Sequence, residues 1–424
     1  MRWRKWRGVL IAGALGLAGS VASADPADVR PPSEPVVSPA PAEPEPTERA
    51  ELVEPEPDEP GTTPPIENAG ALAPFFRALA GTERGEGLTR VTHLGDSSIG
   101  MDALPHGLRR RFQERFGDGG AGFLLLTQPA ESYTNRTVRV RESSPWTSCV
   151  VVRRCRPDGH YGLGGVTAEA RGRSSTTIEP RDGRRVSRAE LWYLAQPRGG
   201  RLQFELGEAS VEIDTAAEAL EDRWHVLEGP EGDLTARVRT LGGRVRAYGM
   251  VLENDGPGVV WDSLPMVGAF TRRVLAYDEA HFARQLARRD PDLVVLSYGG
   301  NDLRGVVHGL SRERLQEETE QVLARVRAAV PDSACLLVGV SDHTASGLAA
   351  IEPRHVQTVI DAQRAAAERS GCAFWDQVAA MGGGGSFRTW HRRGLTAGDG
   401  KHLSARGREV IAARLHAALM HARQ

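Results

Sequence analysis

Ser97, Asn301, Asp399 and His402 are the residues of this 424-residue chain whose types and spacing can do chemistry together. Ser97 stands in Val91-Thr-His-Leu-Gly-Asp-Ser-Ser98, an apolar run that breaks at Gly95. A serine hydroxyl becomes a nucleophile only beside a base. His402 is the candidate base. Asp399, three residues earlier, can hold the imidazole in one tautomer and stabilise its charged form. This set suits acyl transfer, whose developing oxyanion needs fixed donors. The expected donors are the backbone amides of Ser97 and Gly268 and the side-chain amide of Asn301. Asp302 reads as a loop-bracing carboxylate and His343 as a surface histidine, while Trp390 and His391 are candidates for the mouth of the site.

The elements that must position these residues alternate between strand and helix. Strand Leu88–Leu94 precedes Ser97, and Leu104, Leu108, Phe112 and Phe116 mark a helix over Met101–Phe116. Later come strand Gly258–Pro265, a helix ending at Arg289, strand Asp292–Tyr298, helix Arg312–Ala329 and strand Cys335–Val340. Helix Arg354–Ser370, strand Cys372–Trp375 and helix Ser404–His421 complete the series. Such alternation predicts an α/β fold, a doubly wound parallel sheet of about five strands. Ser97, Gly268, Asn301, Asp399 and His402 then all fall on loops at the carboxyl edge of the sheet, where ligands bind. Between them, residues 131–257 change texture to alternating runs such as Arg201-Leu-Gln-Phe-Glu-Leu206, separated by Gly, Pro and Asp turns. This stretch reads as an inserted β-sandwich. Trp146, Trp192, Tyr193 and Trp224 within it are candidates for stacking on sugar rings, although aromatic residues in alternating strands more often build core.

Gly95-Asp-Ser97, Gly268, Gly299-x-Asn301-Asp302 and Asp399-x-x-His402 occur in the order found in the SGNH (GDSL-type) hydrolases, and the chain resembles that family over 72–130 and 258–424. The resemblance implies a flavodoxin-like sheet, Ser97 as nucleophile, the Asp399/His402 pair, and oxyanion donors at Ser97, Gly268 and Asn301. Gln113-Glu-Arg-Phe-Gly-Asp-Gly-Gly-Ala-Gly-Phe123 and Gly256-Pro-Gly-Val-Val-Trp-Asp-Ser263 look like bacterial peptidoglycan O-acetylesterases, which carry a β-rich insertion at this point. Ser98 departs from that pattern, standing where His or Leu is expected.

Composition and ends set the remaining bounds. Met1–Ala24 has four basic residues, an apolar Gly/Ala-rich run and a small-residue end, Ala22-Ser-Ala24, and reads as a secretory signal cleaved before Asp25. Export to a periplasm or cell envelope follows, with no stable membrane span after cleavage. Residues 25–67 hold thirteen of the 26 prolines and twelve acids, and read as a disordered tether or tail. Lysine and arginine are scattered rather than striped, so nucleic acid is not an expected partner. Four cysteines suit an exported chain. Cys149 and Cys155 are expected to pair, whereas for Cys335 and Cys372 pairing is left open. Neither metal nor cofactor is expected, because no His, Cys or acidic cluster shows ligand spacing. The function expected is a metal-independent serine esterase that removes small acyl groups, most plausibly acetyl, from an acetylated glycan such as peptidoglycan. The alternatives are a lipase or thioesterase, an acetyltransferase, and a non-catalytic glycan-binding protein.

Overall fold

A computed structural model describes residues 61–232 and 234–424. The expected signal and most of the expected tether lie outside the described residues. Five parallel strands form the central sheet: β1 (Leu88–Gly95), β2 (Gly258–Pro265), β3 (Leu293–Ser297), β4 (Ala334–Val338) and β5 (Ala373–Trp375). Their spatial order is β2-β1-β3-β4-β5. This is the flavodoxin-like order, with its switch point between β1 and β3. β3, β4 and β5 are apolar along most of their length because both faces are covered, whereas β1 also carries Thr89, Arg90, Thr92 and His93. On one face Val91, Val295, Leu336 and Trp375 pack against helices α1 (Ala73–Glu83), α2 (Ala103–Phe116) and α6 (Ala405–Ala422). On the other, Leu94, Val294, Leu296 and Leu337 meet α3 (Glu279–Arg289), α4 (Arg312–Ala329) and α5 (Pro353–Arg369). Cys335 and Cys372 form a disulfide at the amino-terminal ends of β4 and β5, and Cys149–Cys155 closes a small loop.

The expected tether ends earlier than residue 67. Glu67 exchanges backbone hydrogen bonds with Phe374 (2.9 and 3.0 Å), Pro64 accepts the Trp375 indole N–H, and Ile66 is buried. A short polar-looking stretch is ordered here because it covers the free edge of β5, whose backbone groups would otherwise stay unpaired.

The insertion is two stacked antiparallel sheets. A six-stranded sheet runs Glu221–Gly232, Val186–Ala195, Val245–Glu253, Val166–Ala170 and Thr147–Val150, with Gly122–Leu124 added on Val245–Glu253. The five-stranded sheet runs Val138–Ser144, Ser175–Pro180, Ala236–Gly242, Arg201–Leu206 and Ala209–Asp214. Strand alternation divides Val186–Ala195 between two cores. Leu191, Tyr193 and Ala195 point into the sandwich with Ile178, Phe204 and Val238. Trp192 and Leu194 point the other way, into the α/β core with Tyr277, Phe282 and Leu286. The insertion is therefore seated on α3 by a continuous apolar interface. A buried ion network reinforces it. Arg289 of α3 binds Glu253 of the insertion and Asp262 of β2, each at 2.7 Å, and Arg90 of β1 binds Glu253 at 3.0 Å.

Candidate active site

β1 runs so close to β3 that a Cβ at Gly95 would lie 2.6 Å from the Ser297 carbonyl oxygen, so only glycine fits where the chain leaves the sheet. The next residue, Asp96, is buried and ties two loops together. Its carboxylate accepts the Ser98 amide (2.8 Å) and the Gly300 amide (3.1 Å). Burial raises its pKa, and the Ser98 contacts oppose that shift. Ser97 then opens a 3-10 turn, Ser97–Asp102, and α2 begins at Ala103, two residues after the expected start at Met101. The break is sharp: Met101 and Asp102 sit at φ 58° and 55°, in the left-handed region. Asp102 is held there by a buried pair with Arg109 (2.8 and 3.1 Å) and by the Arg136 amide.

The loop before α6 carries Asp399 and His402. Asp399 Oδ1 accepts the backbone amides of Lys401 (3.1 Å) and His402 (2.9 Å), which folds the loop so that the His402 ring turns back to Asp399 Oδ2 at 2.5 Å. Partial burial works against the Asp399 charge, but the His402 ring and these two amides hold its carboxyl well below the usual range. An ionised carboxylate only accepts, so His402 Nδ1 carries the hydrogen and Nε2 presents its lone pair. That Nε2 lies 2.8 Å from Ser97 Oγ. A hydroxyl, an unprotonated ring nitrogen and a fixed carboxylate are thus in line.

Asn301 is tied to the turn that holds Gly268. Asn301 Nδ2 donates to the Ala269 carbonyl at 2.9 Å, which engages one of its two N–H bonds. Gly268, exposed at φ 80°, lies in the Met266–Ala269 turn whose end residues are buried, and Met266 N donates to the Gly95 carbonyl at 2.7 Å. The turn is thereby held at the end of β1. Asp302 accepts the Thr271 amide and hydroxyl (3.0 and 2.8 Å), and burial raises its pKa to about 6. It braces the loop, as expected.

Two expectations are corrected. His343 is buried, not a surface residue, because the 341–343 segment folds under the cleft. Its Nδ1 faces the Ser341 carbonyl at 2.7 Å, its Nε2 borders Gly300, and burial lowers its pKa to about 4, leaving it neutral. Trp390 does not line the mouth: it is fully buried, donates to the Met381 carbonyl at 2.8 Å and lies under Arg414. His391 is exposed and bonded to Thr396. Trp146, Trp192 and Tyr193 are core, as aromatic residues in alternating strands more often are, and so are not sugar platforms; Trp224 is half-buried beneath Arg288.

The GDSL-like lipase/acylhydrolase family model matches residues 233–410, a span that holds Gly268, Asn301, Asp399 and His402 but not Ser97. Over that span the chain is similar to the GDSL-type hydrolases. A solved peptidoglycan O-acetylesterase superposes with a TM-score of 0.71 at 24% identity, covering 84% of this chain and 98% of the other. A lipase/acylhydrolase from Enterococcus faecalis matches at a TM-score of 0.29 and 17% identity, covering 38% and 75% of the two chains. A family two carbohydrate esterase from Cellvibrio japonicus matches at 0.27 and 10%, covering 68% and 98%. No curated protein sequence matches the chain significantly.

The cleft beside Ser97 is lined by Ser97, Ser98, Tyr298, Gly300, His343, Lys401 and His402, among others. Sequence reasoning did not single out Lys401, which is the only lysine after residue 5. Its rarity in a chain that otherwise uses arginine is a signal that was readable. Among the described residues no helix is long and apolar enough to cross a membrane.

Proposed function

We propose that the esterase is an exported acetylesterase in which Ser97, His402 and Asp399 act as the catalytic triad on an acetylated cell-envelope glycan, with peptidoglycan the favoured polymer. The observation that carries this is the alignment of Ser97 Oγ, His402 and Asp399 at 2.8 and 2.5 Å. In the proposed cycle Ser97 Oγ attacks the acetyl carbonyl carbon while His402 Nε2 takes the hydroxyl proton. The oxyanion is received by the Ser97 and Gly268 amides and the second N–H of Asn301, each contributing about 3–4 kcal/mol to the transition state. His402 returns the proton to the departing sugar oxygen. It then deprotonates a water that releases acetate from Ser97.

The cavity beside the triad is about 30 Å³. That is room on the scale of one or two waters, which favours an acetyl group over a long acyl chain. A peptidoglycan O-acetylesterase as structural neighbour supports the glycan class. Two disulfides, together with the basic and apolar amino terminus, support export to a periplasm or cell envelope. Acetate release from O-acetylated peptidoglycan, acetylated xylan and a p-nitrophenyl ester series tests the reading. It expects peptidoglycan first and activity falling as the acyl chain lengthens. Activity rising with chain length would instead make the enzyme a lipase or thioesterase. Acetyl appearing on a second sugar would make it a transferase. Mass spectrometry of envelope-fraction protein should find Asp25 as the first residue.

A further inference from the structure

Two histidines and an aspartate, separated by 59 or more positions in sequence, meet where the insertion sits on α3. His281 of α3 is fully buried. Its Nε2 lies 2.6 Å from the Tyr161 carbonyl oxygen and its Nδ1 lies 2.7 Å from Asp222 Oδ1. Gln285 Nε2 lies farther off, 3.0 Å from His281 Nε2, and itself donates to the Tyr161 carbonyl; with the His281 Nε2 hydrogen on the shorter contact to that carbonyl, which only accepts, the neutral ring's Nδ1 turns a lone pair toward a carboxylate oxygen. Two lone pairs at that distance repel unless a cation stands between them, and the cation is a proton or a metal ion.

His160 distinguishes the two. Its Nδ1 lies 2.8 Å from the Asp158 carbonyl, which fixes the hydrogen there and leaves Nε2 with its lone pair. The ring is 4.4 Å from that of His281, and one donor atom from each of His160, His281 and Asp222 lies within 4.8 Å of the others. A proton shared by His281 and Asp222 gives His160 no part; a metal ion uses all three. Both rings are anchored through their other nitrogen to a backbone carbonyl, the second-shell arrangement that orients ligand histidines. Arg284 Nε, 2.8 Å from Asp222 Oδ2, likewise fixes the carboxylate and leaves Oδ1 for the ion. The buried Tyr248 ring, 5.1 Å from that of His281, packs against the same group.

We infer that His160, His281 and Asp222 form a structural binding site for a divalent transition-metal ion of the zinc class. Two imidazoles and one carboxylate suit that ion's preference for nitrogen with a hard oxygen. It joins the 156–161 loop and strand Glu221–Gly232 of the insertion to α3 of the hydrolase core. None of its three ligands lines the Ser97 cleft, so the site is independent of the acyl chemistry. Sequence spacing could not show it, because the ligands come from a loop, a strand and a helix.

The test uses the full exported chain, purified without a histidine tag, stripped with chelator and then titrated. Zn²⁺ should bind at one equivalent and raise Tm, and Co²⁺ should give a visible d–d band. His160→Ala should lose more affinity than the roughly 10–100-fold that removal of a second-shell partner costs. Asp222→Asn, which keeps a hydrogen bond to the ring, should lose it too while circular dichroism stays unchanged. Turnover of p-nitrophenyl acetate is not the readout, so failure of the proposed triad does not affect the result. Absence of stoichiometric uptake overturns the inference, as does equal uptake by His160→Ala, or nitrogen NMR showing His281 protonated on both nitrogens in the presence of Zn²⁺.

Discussion

The molecule contains two histidine–aspartate pairs of nearly the same local geometry: His402 with Asp399 at 2.5 Å and His281 with Asp222 at 2.7 Å. They differ in what faces the second ring nitrogen and in access to water. His402 Nε2 faces a hydroxyl, Ser97 Oγ, which can give up its proton. His281 Nε2 faces a carbonyl, Tyr161, which has none to give. The first pair is half-exposed on a loop rim, its side chains 24% and 45% accessible; the second is sealed at 0% and 2%. An imidazole–carboxylate pair is therefore not in itself a mark of catalysis. The third partner and the route to solvent decide.

The widest separation between the two pairs comes from removing their rings. His402→Ala, like Ser97→Ala, should lower kcat for p-nitrophenyl acetate by up to about 10⁶-fold with Tm unchanged, because the two groups act as one unit. His281→Gln should leave kcat within a few-fold and lower Tm, since it breaks a buried interface contact. Steady-state rates and thermal melts on the same samples check both halves. A smaller contrast comes from the carboxylates. Asp399→Asn disturbs the tautomer of His402 and should cost up to about 10⁴-fold in rate. Asp222→Asn should cost rate little. Glu253→Gln, in the network nearby, leaves Arg289 short of a counter-charge and should cost stability on the order of 3 kcal/mol, read by denaturant melts.

Much of the first pair was legible in sequence, and none of the second. Asp399 and His402 are three residues apart on one loop, and Ser97 ends a strand whose apolar run announces it. The doubly wound sheet was legible for the same reason: strands such as Leu293–Ser297 and helices such as Arg312–Ala329 carry local periodicity. Contacts made only by the fold left no such mark. His343 looks like any loop histidine until the chain buries it under Gly300. Which of two cores Trp192 enters was not legible, because both faces of its sheet are covered, one by the second sheet and one by α3. The ordering of Pro64–Glu67 depends on an edge strand three hundred residues away.

Acid should sharpen the contrast between buried and exposed histidines. Burial lowers His93 and His106 to about 3 and His343 to about 4. The unfolded chain titrates its histidines near 6.5, so it takes up protons first as pH falls. The stability these three contribute is complete above about pH 6.5 and is lost between there and about pH 3. Asp302, raised to about 6, has the opposite sign: its contribution is present below about pH 4 and lost as pH rises through 6. The three buried histidines together outweigh the raised carboxyls, Asp302 and Asp96 among them, so Tm should fall from pH 7 to pH 4. His343→Asn should flatten the part of that slope between about 6.5 and 4. The smallest effect expected is at the surface of the interface: Trp224→Ala removes the ring beneath Arg288 and should cost about 1 kcal/mol or less, seen as a slight drop in Tm.

Labelling with a fluorophosphonate followed by peptide mapping tests directly which of the two pairs performs the chemistry. The adduct should fall on Ser97 in the wild type, be absent in Ser97→Ala, form far more slowly in His402→Ala, and form at the wild-type rate in His281→Gln. An adduct on another serine, or undiminished labelling when His402 is gone, would contradict the assignment of Ser97 and His402.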